Sequence, residues 1–406
     1  MAQAVNRSVR GADSLYKKLF AHITCNGIIN QTSLEGHCLQ TTLNYAAQEL
    51  KDTLSFGCGF SLSPEESQLM ERMSKDLDQA VGYERDFIKA MNHLDEEAKT
   101  SYCHDFSQSL LIEMQQAPNG HKILLPGGYF AASSEGCGHA MLYELEKTDE
   151  GQLLFHVFNT GNGLECHPRW ADKYYSRITL DLGSCANGFH FTELLAKVFF
   201  FKISKAPNKE GRHLYENIFA DFVHRGAQYR ASSKESLMSA QKSGICAYHV
   251  ILSFQKNRLS QPTYKTLRLY SKIRAFQQFF INDPSCFHPH HPLYSRLVIP
   301  AFEKTRRQLK KAGLDPHVLL GHFPKTEKIL YGSSLNPKHF FSHTLPTADK
   351  FSLGLRVRLL LVLYWLQSLS DALLEKILCA LDRVALIVHS IFHRLITFPK
   401  QAKVMS

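Results

Sequence analysis

The sequence lacks several patterns that would assign it to a well-known class of protein. Its 406 residues include ten cysteines, yet no two of them form a Cys-x-x-Cys pair, which argues against a zinc ribbon. The opening stretch, MAQAVNRSVRGADSLYKKLF, has no apolar core of a secretory signal. We therefore expect reduced thiols in a cytosolic setting. No internal repeat is evident, which argues against a solenoid or propeller.

Long hydrophobic runs are also missing. The most apolar region is 350–400, but its longest unbroken run, 359–366 (LLLVLYWL), ends at Gln367. A helix needs about 20 apolar residues to cross a bilayer. We therefore predict amphipathic helices over 350–400 that do not span a membrane. They would either dock on the rest of the chain or make peripheral contact with a membrane surface.

The charge and composition are those of a basic globular protein. The formal net charge is +10, with 44% hydrophobic and 21% charged residues. The basic residues are dispersed except in 304–311 (KTRRQLKK), where no aromatic side chains are interleaved for base stacking. We expect no nucleic-acid partner, and we interpret this run as the solvated face of a helix, with a partner contact as the alternative.

Residues 138–163 have the pattern of a β-hairpin. Two strand-like runs, 141–146 (MLYELE) and 154–159 (LFHVFN), place alternate residues on opposite faces, and 148–151 (TDEG) supplies the turn between them. Closure around that turn makes the numbers of paired residues sum to about 299. His139 is then expected opposite Asn159 and Thr160, within one residue, where Cβ atoms on one face are about 5 Å apart. The hairpin can thus bring an imidazole and a carboxamide together, which are the base and the orienting group of a nucleophilic triad.

A candidate nucleophile follows about a hundred residues later, in 241–252 (QKSGICAYHVIL). Cys246 stands at the predicted start of an apolar helix, where the helix dipole lowers the pKa of a thiol. Gln241 could donate its amide N–H to an oxyanion. His249 is a rival base, Cys137 could be a second thiol near the site, and a buried structural cysteine is the alternative for Cys246.

The order His139, Asn159, Gln241, Cys246 resembles that of the clan CE cysteine peptidases, which process ubiquitin-like proteins. This clan also contains bacterial effector deubiquitinases and YopJ-type effector acetyltransferases. The resemblance covers roughly 120–260 and implies a papain-like α+β core with a mixed or antiparallel sheet plus helices. It further implies a Cys–His–Asn mechanism without a cofactor and a protein substrate related to ubiquitin. It also suggests an effector that acts in the cytoplasm of a host cell.

The remaining pattern places this core between helical regions. We expect a helical N-terminal region over 1–118, the catalytic domain over 119–320 and the amphipathic C-terminal region over 350–400. Ser63, Pro64 and Glu66 predict a capped helix start. Further helices are predicted over 83–93, 105–115, 213–230, 264–280 and 300–312, strands over 122–125, 127–132 and 175–180, and a helix or strand over 193–203.

Two glycines and a histidine cluster offer further hypotheses. Gly127 and Gly128 could let the backbone approach a substrate chain, or simply form a turn. The segment 288–292 (HPHHP) resembles a metal ligand cluster, but its prolines prevent a shared helix face, and no metal is expected. The sequence favours a thiol hydrolase of peptide or isopeptide bonds. An acetyltransferase with the same triad and a non-catalytic membrane-surface or scaffold protein remain the alternatives.

Overall fold

The computed structural model describes residues 38–55, 62–130, 138–205, 209–231, 234–241, 245–282 and 299–312. The chain divides into two units, Met1–Glu327 and Lys328–Ser406, and every described residue belongs to the first. The predicted helices of 350–400, the histidine cluster and Cys137 therefore lie outside the described residues. None of the described helices is both long enough and apolar enough to cross a bilayer.

The centre of the fold is a five-stranded sheet in the order β1-β2-β3-β6-β7, with every pair antiparallel. A smaller antiparallel sheet has the order β4-β5-β8. The strands are β1 Lys122–Tyr129, β2 His139–Lys147, β3 Gln152–Phe158, β4 Arg169–Trp170, β5 Lys173–Tyr175, β6 Arg177–Ser184, β7 Gln228–Arg230 and β8 Leu237–Met238.

Helices precede, interrupt and follow these strands. They are α1 Leu39–Ser55, α2 Pro64–His93, α3 Glu96–Gln116, α4 Thr192–Ile203, α5 Gly211–His213, a π-helix Leu214–Phe219, α6 Ala220–His224, α7 Cys246–Arg258, α8 Gln261–Asn282 and α9 Ile299–Lys311. Short 3₁₀ turns occupy Leu164–Cys166, Cys185–Phe191 and Lys234–Ser236. The molecule is thus α+β with an antiparallel sheet, as expected at the level of fold class.

The two faces of the hairpin have different partners. One face contributes Met141, Tyr143 and Phe155 to a core that also holds Phe87 of α2 and Phe199 of α4. The helices that precede the sheet in sequence therefore share its core. The other face supports α7, where Phe254 packs edge-on against Phe158 of β3 with ring centroids 5.9 Å apart. Apolar burial on both faces holds the hairpin rigidly between helices.

Several predicted element boundaries are wrong. Strand β1 continues through Pro126. Proline has no backbone N–H, but an edge strand tolerates it at a position whose N–H would point away from the neighbouring strand. Helix α2 runs unbroken through Gly82, which has open space around it. The region 213–230 is not one helix, because α5, the π-helix and α6 are followed by β7. The helix at 105–115 begins earlier, at Glu96 after its Asp95 cap.

Two local predictions are confirmed. Ser63 caps α2 in a reciprocal capping box with Glu66, following the pattern read from the sequence. The basic run lies on α9, where Lys304, Arg307 and Lys310 are exposed while Leu309 is buried. This exposure agrees with the interpretation of the run as a solvated helix face.

Gly127 and Gly128 serve the protein's own packing. A Cβ on Gly127 would lie 2.6 Å from the Tyr143 ring, and one on Gly128 would lie 1.9 Å from the carbonyl oxygen of His139. Gly128 also has a φ of +83°, which favours glycine. The space beside these glycines is already filled, so close approach of a substrate chain does not explain them.

A buried ion pair joins α2, α4 and β1. Lys202 Nζ lies 3.0 Å from Glu84 Oε2 and donates to the carbonyl oxygen of Gly127 at 3.0 Å, and both charged side chains are almost wholly buried. The ammonium group also lies 4.4 Å from the centre of the Phe130 ring. Burial raises the pKa of Glu84 and lowers that of Lys202, while the attraction between them opposes both shifts. The pair therefore depends on its own contact to remain charged.

Replacing one member of this pair should destabilise the fold strongly. We expect Glu84→Gln to lower the free energy of unfolding by about 3–5 kcal/mol, because Lys202 would have to hold a buried charge without its counterion or give up its proton. Urea denaturation measures this loss. The matched control is Glu71→Gln, which removes the exposed partner of Lys75 and should cost less than about 1 kcal/mol. Equal, small losses in the two variants would contradict the assigned role.

Candidate active site

The hairpin closes as predicted, but its register is shifted by one residue. Leu142 pairs with Phe158 and Tyr143 with Val157, so paired numbers sum to 300. Thr148 and Gly151 form the turn, with the Gly151 N–H donating to the Thr148 carbonyl at 3.0 Å. In this register His139 and Asn159 occupy diagonal rather than directly opposite positions on one face. Diagonal neighbours remain within reach of long side chains.

The imidazole of His139 contacts the carboxamide of Asn159. The His139 Nε2 lies 2.9 Å from Asn159 Oδ1, and both side chains are buried. The centre of the Tyr129 ring lies 6.0 Å from that of His139, so an aromatic wall covers the imidazole. The structure thus brings together the predicted base and its predicted orienting group.

The orientation of the Asn159 carboxamide follows from its backbone partners. Its Oδ1 accepts from the Gly161 N–H at 3.0 Å, and its Nδ2 donates to the Asn162 carbonyl at 2.9 Å. An N–H only donates and a carbonyl only accepts, so the two ends of the carboxamide are fixed. Oδ1 must then accept from a hydrogen on His139 Nε2. In a neutral imidazole this leaves Nδ1 as the nitrogen with a lone pair.

Cys246 lies at the first residue of α7 and meets the start of β2. The backbone N–H of Ala140 donates to Cys246 Sγ at 3.4 Å. The β2–β3 ladder ends at Leu142 and Phe158, and Ala140 precedes Leu142 by two residues, so its amide lies beyond this ladder although Ala140 still pairs with Gly128 of β1. Standard backbone dimensions then put Sγ within about 6 Å of the His139 Cα. The predicted nucleophile is therefore next to the residue that carries the predicted base.

Gln241 is attached to the end of the same hairpin. Its backbone N–H donates to the Thr160 carbonyl at 3.0 Å, and its Oε1 accepts from Thr160 Oγ1 at 2.9 Å. A Cβ built on Gly161 would lie 2.4 Å from Gln241 Nε2 and 2.8 Å from His139 Cε1. The carboxamide nitrogen and the imidazole therefore lie against one glycine. With its oxygen bound to Thr160, the carboxamide presents its N–H donors on this side.

The electrostatics favour a neutral histidine. Burial lowers the pKa of His139 to about 4, although its contact with Asn159 opposes the shift. Three other thiols of the described residues are made less acidic, because burial raises the pKa of Cys103 to about 12 and also raises those of Cys166 and Cys185. Cys246 differs from these thiols in that it begins an α-helix and accepts an amide N–H, and both features stabilise a thiolate.

Two further residues of the site were missed by sequence reasoning. Tyr215 Oη lies 3.0 Å from Asn159 Nδ2 and 2.7 Å from His167 Nε2, and both residues are buried. Tyr215 lies in the π-helix, an element frequent at functional sites. The contacts join positions 56 and 48 residues apart, so no local pattern indicates them. Lys202, the buried partner of Glu84, is by contrast indicated by the sequence, because it is the single cation in the apolar run FFFKI.

A second polar cluster lies on the opposite face of the hairpin. Glu144, Glu146 and His156 offer ligand atoms within 4.8 Å of one another. Arg258 forms an ion pair with Glu144, and Lys122 lies 2.7 Å from Glu146. Burial raises the pKa of both carboxyl groups, but Arg258 lowers that of Glu144, and hydrogen bonds from His156 and Lys122 lower that of Glu146 to about 2. The cluster already has balancing positive charge, so its residues do not fit a resident metal ion.

His249, the rival base, lies one turn along α7 from Cys246. His139, by its contact with Asn159, has a buried carboxamide that fixes the tautomer of its ring. The pairing of base and orienting group therefore favours His139.

Comparisons with known proteins provide no assignment. No protein-family model, curated protein or solved structure matches the chain. The function must therefore be argued from the geometry of the site.

Adding one methyl group at Gly161 should disturb the site. We expect Gly161→Ala to lower the free energy of unfolding by about 1–3 kcal/mol, because the new Cβ overlaps Gln241 and His139. Alkylation of Cys246 by iodoacetamide should also slow as the imidazole is displaced. Chemical denaturation and mass spectrometry measure the two effects.

The control for that substitution is Gly82→Ala in α2, where a Cβ meets open space. It should stabilise the protein by about 0.5–1 kcal/mol. Wild-type stability and alkylation rate in Gly161→Ala would show that the site has more room than the structure indicates.

The fold should lose stability between pH 6.5 and pH 4. Burial lowers the pKa of His139 and of His167 to about 4, below the unfolded value near 6.5. The neutral rings therefore stabilise the fold fully above pH 6.5, and this contribution is lost as the pH falls toward 4. It amounts to at most about 3 kcal/mol for each ring.

The measurement is the free energy of unfolding against pH for the wild type and His167→Gln. The variant should lose less stability over this window than the wild type does. Comparing the two curves cancels the carboxyl groups, including Asp76, whose raised pKa of about 6 acts in the opposite direction. Parallel curves would contradict the burial of a neutral His167.

Proposed function

We propose that this protein is a thiol hydrolase that cleaves peptide or isopeptide bonds with a Cys246–His139–Asn159 triad. The observation that carries the proposal is the convergence on one end of β2. There His139 contacts Asn159 at 2.9 Å, and the next residue, Ala140, donates to the Cys246 thiol at 3.4 Å. A nucleophile, a base with a fixed tautomer and an orienting group are the parts this chemistry needs.

The proposed reaction runs through a thioester. His139 Nδ1 accepts the Cys246 proton as Sγ attacks the carbonyl carbon, and the carbonyl oxygen becomes an oxyanion. Gln241 Nε2 and the Cys246 backbone N–H hold this oxyanion. The imidazolium then protonates the leaving amine as the C–N bond breaks. A water molecule, deprotonated by His139, hydrolyses the thioester and returns the thiol.

The arrangement also supports a papain-like core as the finer assignment of the fold. Helix α7 begins with Cys246 and packs on an antiparallel sheet whose adjacent strands supply His139 and the residue after Phe158. By resemblance to clan CE, the substrate is a protein modified by, or ending in, a ubiquitin-like protein. We also propose that the enzyme acts in the cytoplasm, as an effector delivered into a host cell, and contacts membrane peripherally through 350–400.

The two alternatives receive less support. An acetyltransferase would need basic groups able to hold the phosphates of coenzyme A. A cavity of about 800 Å³ beside α4 contains Lys197 and Lys209, but Lys197 pairs with Asp221, and Lys209 donates to the carbonyls of Phe201 and Ser204. A scaffold protein would not need the carboxamide of Asn159 to fix the tautomer of a buried imidazole.

The direct test uses probes in which the C-terminus of ubiquitin or another ubiquitin-like protein carries a thiol-reactive group. We expect the wild type to form a covalent adduct with at least one probe and Cys246→Ala to form none. Cys166→Ala is the matched control, because it removes a partly exposed thiol outside the triad and should leave labelling unchanged. Equal labelling of Cys246→Ala and wild type would overturn the assignment. A wild type that is not labelled and cleaves no peptide would overturn it as well.

Gln241→Ala separates oxyanion stabilisation from thiol activation. It should reduce turnover by about 10²–10³-fold if the carboxamide donates to the oxyanion. Alkylation of Cys246 by iodoacetamide should barely change, because that reaction forms no oxyanion. If turnover and the rate of Cys246 alkylation fell by the same factor, Gln241 would instead act by holding the hairpin in position.

A further inference from the structure

We propose that Tyr215 and His167 are positioning residues that hold the Asn159 carboxamide in the orientation required by His139. The inference builds on the proposed function, since it assigns His139 as the base. It is carried, however, by hydrogen bonds whose directions can be worked out independently of any reaction.

The protonation of His167, which lies at the end of the hydrogen-bond chain most distant from His139, can be assigned first. His167 Nδ1 lies 2.6 Å from the carbonyl oxygen of Tyr175 in β5. A carbonyl oxygen only accepts, so Nδ1 must bear a hydrogen. Burial lowers the pKa of His167 to about 4, which keeps the ring neutral at pH 7. Its Nε2 therefore has a lone pair and no hydrogen.

This tautomer determines the direction of the Tyr215 hydroxyl. Tyr215 Oη lies 2.7 Å from His167 Nε2 and must donate its only hydrogen to that lone pair. The lone pairs of Oη are then available to Asn159 Nδ2, which lies 3.0 Å away. If the hydroxyl hydrogen pointed at Asn159 instead, two donors would face each other in a buried site.

All hydrogen bonds in the chain therefore donate in the same direction, from His139 toward the small sheet. His139 donates to Asn159, Asn159 donates to Tyr215, Tyr215 donates to His167, and His167 donates to the carbonyl of Tyr175. Each hydrogen bond determines the direction of the next, because once one atom of a group acts as donor or acceptor, the role of its other atom follows. The consequence at the site is a His139 ring with its hydrogen on Nε2 and its lone pair on Nδ1.

Packing restricts the rings that form this chain. The Tyr215 ring contacts those of His167 and Phe219 edge-on, with centroids 5.2 Å and 5.1 Å away. A Cβ on Gly163 would lie 2.7 Å from Tyr215 Cε2, so the loop that follows Asn159 closes over the tyrosine. Neither ring can readily turn to offer a different atom.

Tyr215→Phe tests the proposal by removing the hydroxyl while keeping the ring. One hydrogen of Asn159 Nδ2 then loses its buried acceptor, so that only the backbone contacts to Gly161 and Asn162 still oppose rotation of the carboxamide away from His139. We expect turnover to fall about tenfold, with a small change in KM. Tyr229→Phe is the matched control, because Tyr229 is 55% exposed on β7 and should leave turnover unchanged.

The decisive readout is the tautomer of His139, measured by ¹⁵N NMR of histidine-labelled protein and assigned with His139→Gln. The wild type should show a protonated Nε2 and an unprotonated Nδ1, whereas Tyr215→Phe should show signals averaged between the two tautomers. This readout does not depend on turnover. A shifted tautomer in a protein without activity would retain the positioning role while rejecting the proposed function.

A pair of His167 variants covers the case in which Tyr215→Phe does not fold. His167→Gln keeps an oxygen acceptor for Tyr215 and should retain the wild-type His139 tautomer, whereas His167→Leu removes the acceptor and should lose it. A merely structural role would not make rescue depend on an acceptor atom. Wild-type ¹⁵N signals of His139 in folded Tyr215→Phe or His167→Leu would overturn the proposal, as would equal signals in both His167 variants.

Discussion

The end of the β2–β3 ladder is the constraint from which the site follows. Within a sheet, backbone amides are consumed by neighbouring strands and cannot serve chemistry. The β2–β3 pairing stops at Leu142 and Phe158, whereas β2 stays paired with β1 as far as His139, and the residues that extend past the end of the β2–β3 pairing form the site. Ala140 gives its N–H to a thiol, and Asn159 directs its side chain at an imidazole. The sheet therefore holds these groups rigidly while leaving them available.

The opposite face of the hairpin fixes the thiol by holding its helix. Arg258, near the C-terminal end of α7, forms an ion pair with Glu144 of β2. One turn closer to the N-terminus of α7, Ser253 Oγ donates to Ser176 Oγ at 2.7 Å. Phe254 fills the space between them against Phe158. These contacts set the axial position of α7, and so they determine how far its first residue, Cys246, projects toward β2.

The parts of the site that the sequence predicted are those with a local pattern. The turn at Thr148–Gly151 and the helix start at Cys246 each depend on a few adjacent residues, and both were found. The register was predicted only to within one residue, because both faces of the hairpin are buried and alternation therefore does not distinguish neighbouring registers. Tyr215 could not be found, since a tyrosine in an apolar helical segment is indistinguishable from core until the fold brings it to Asn159. The strand β7 was missed for a similar reason, because only its pairing with β6 makes it a strand.

The low pKa of His139, about 4, is compatible with its assignment as a base. A buried imidazolium is costly when it stands alone, but the proton it would receive comes from an adjacent thiol. The transfer creates an ion pair, so burial opposes it less than it opposes protonation from solvent. The thiolate left behind is stabilised by dipoles, namely the Ala140 amide and the N-terminus of α7. Because these dipoles are fixed by the ladder end and the helix, the proposed mechanism can start from a neutral site and separate charge only during the reaction.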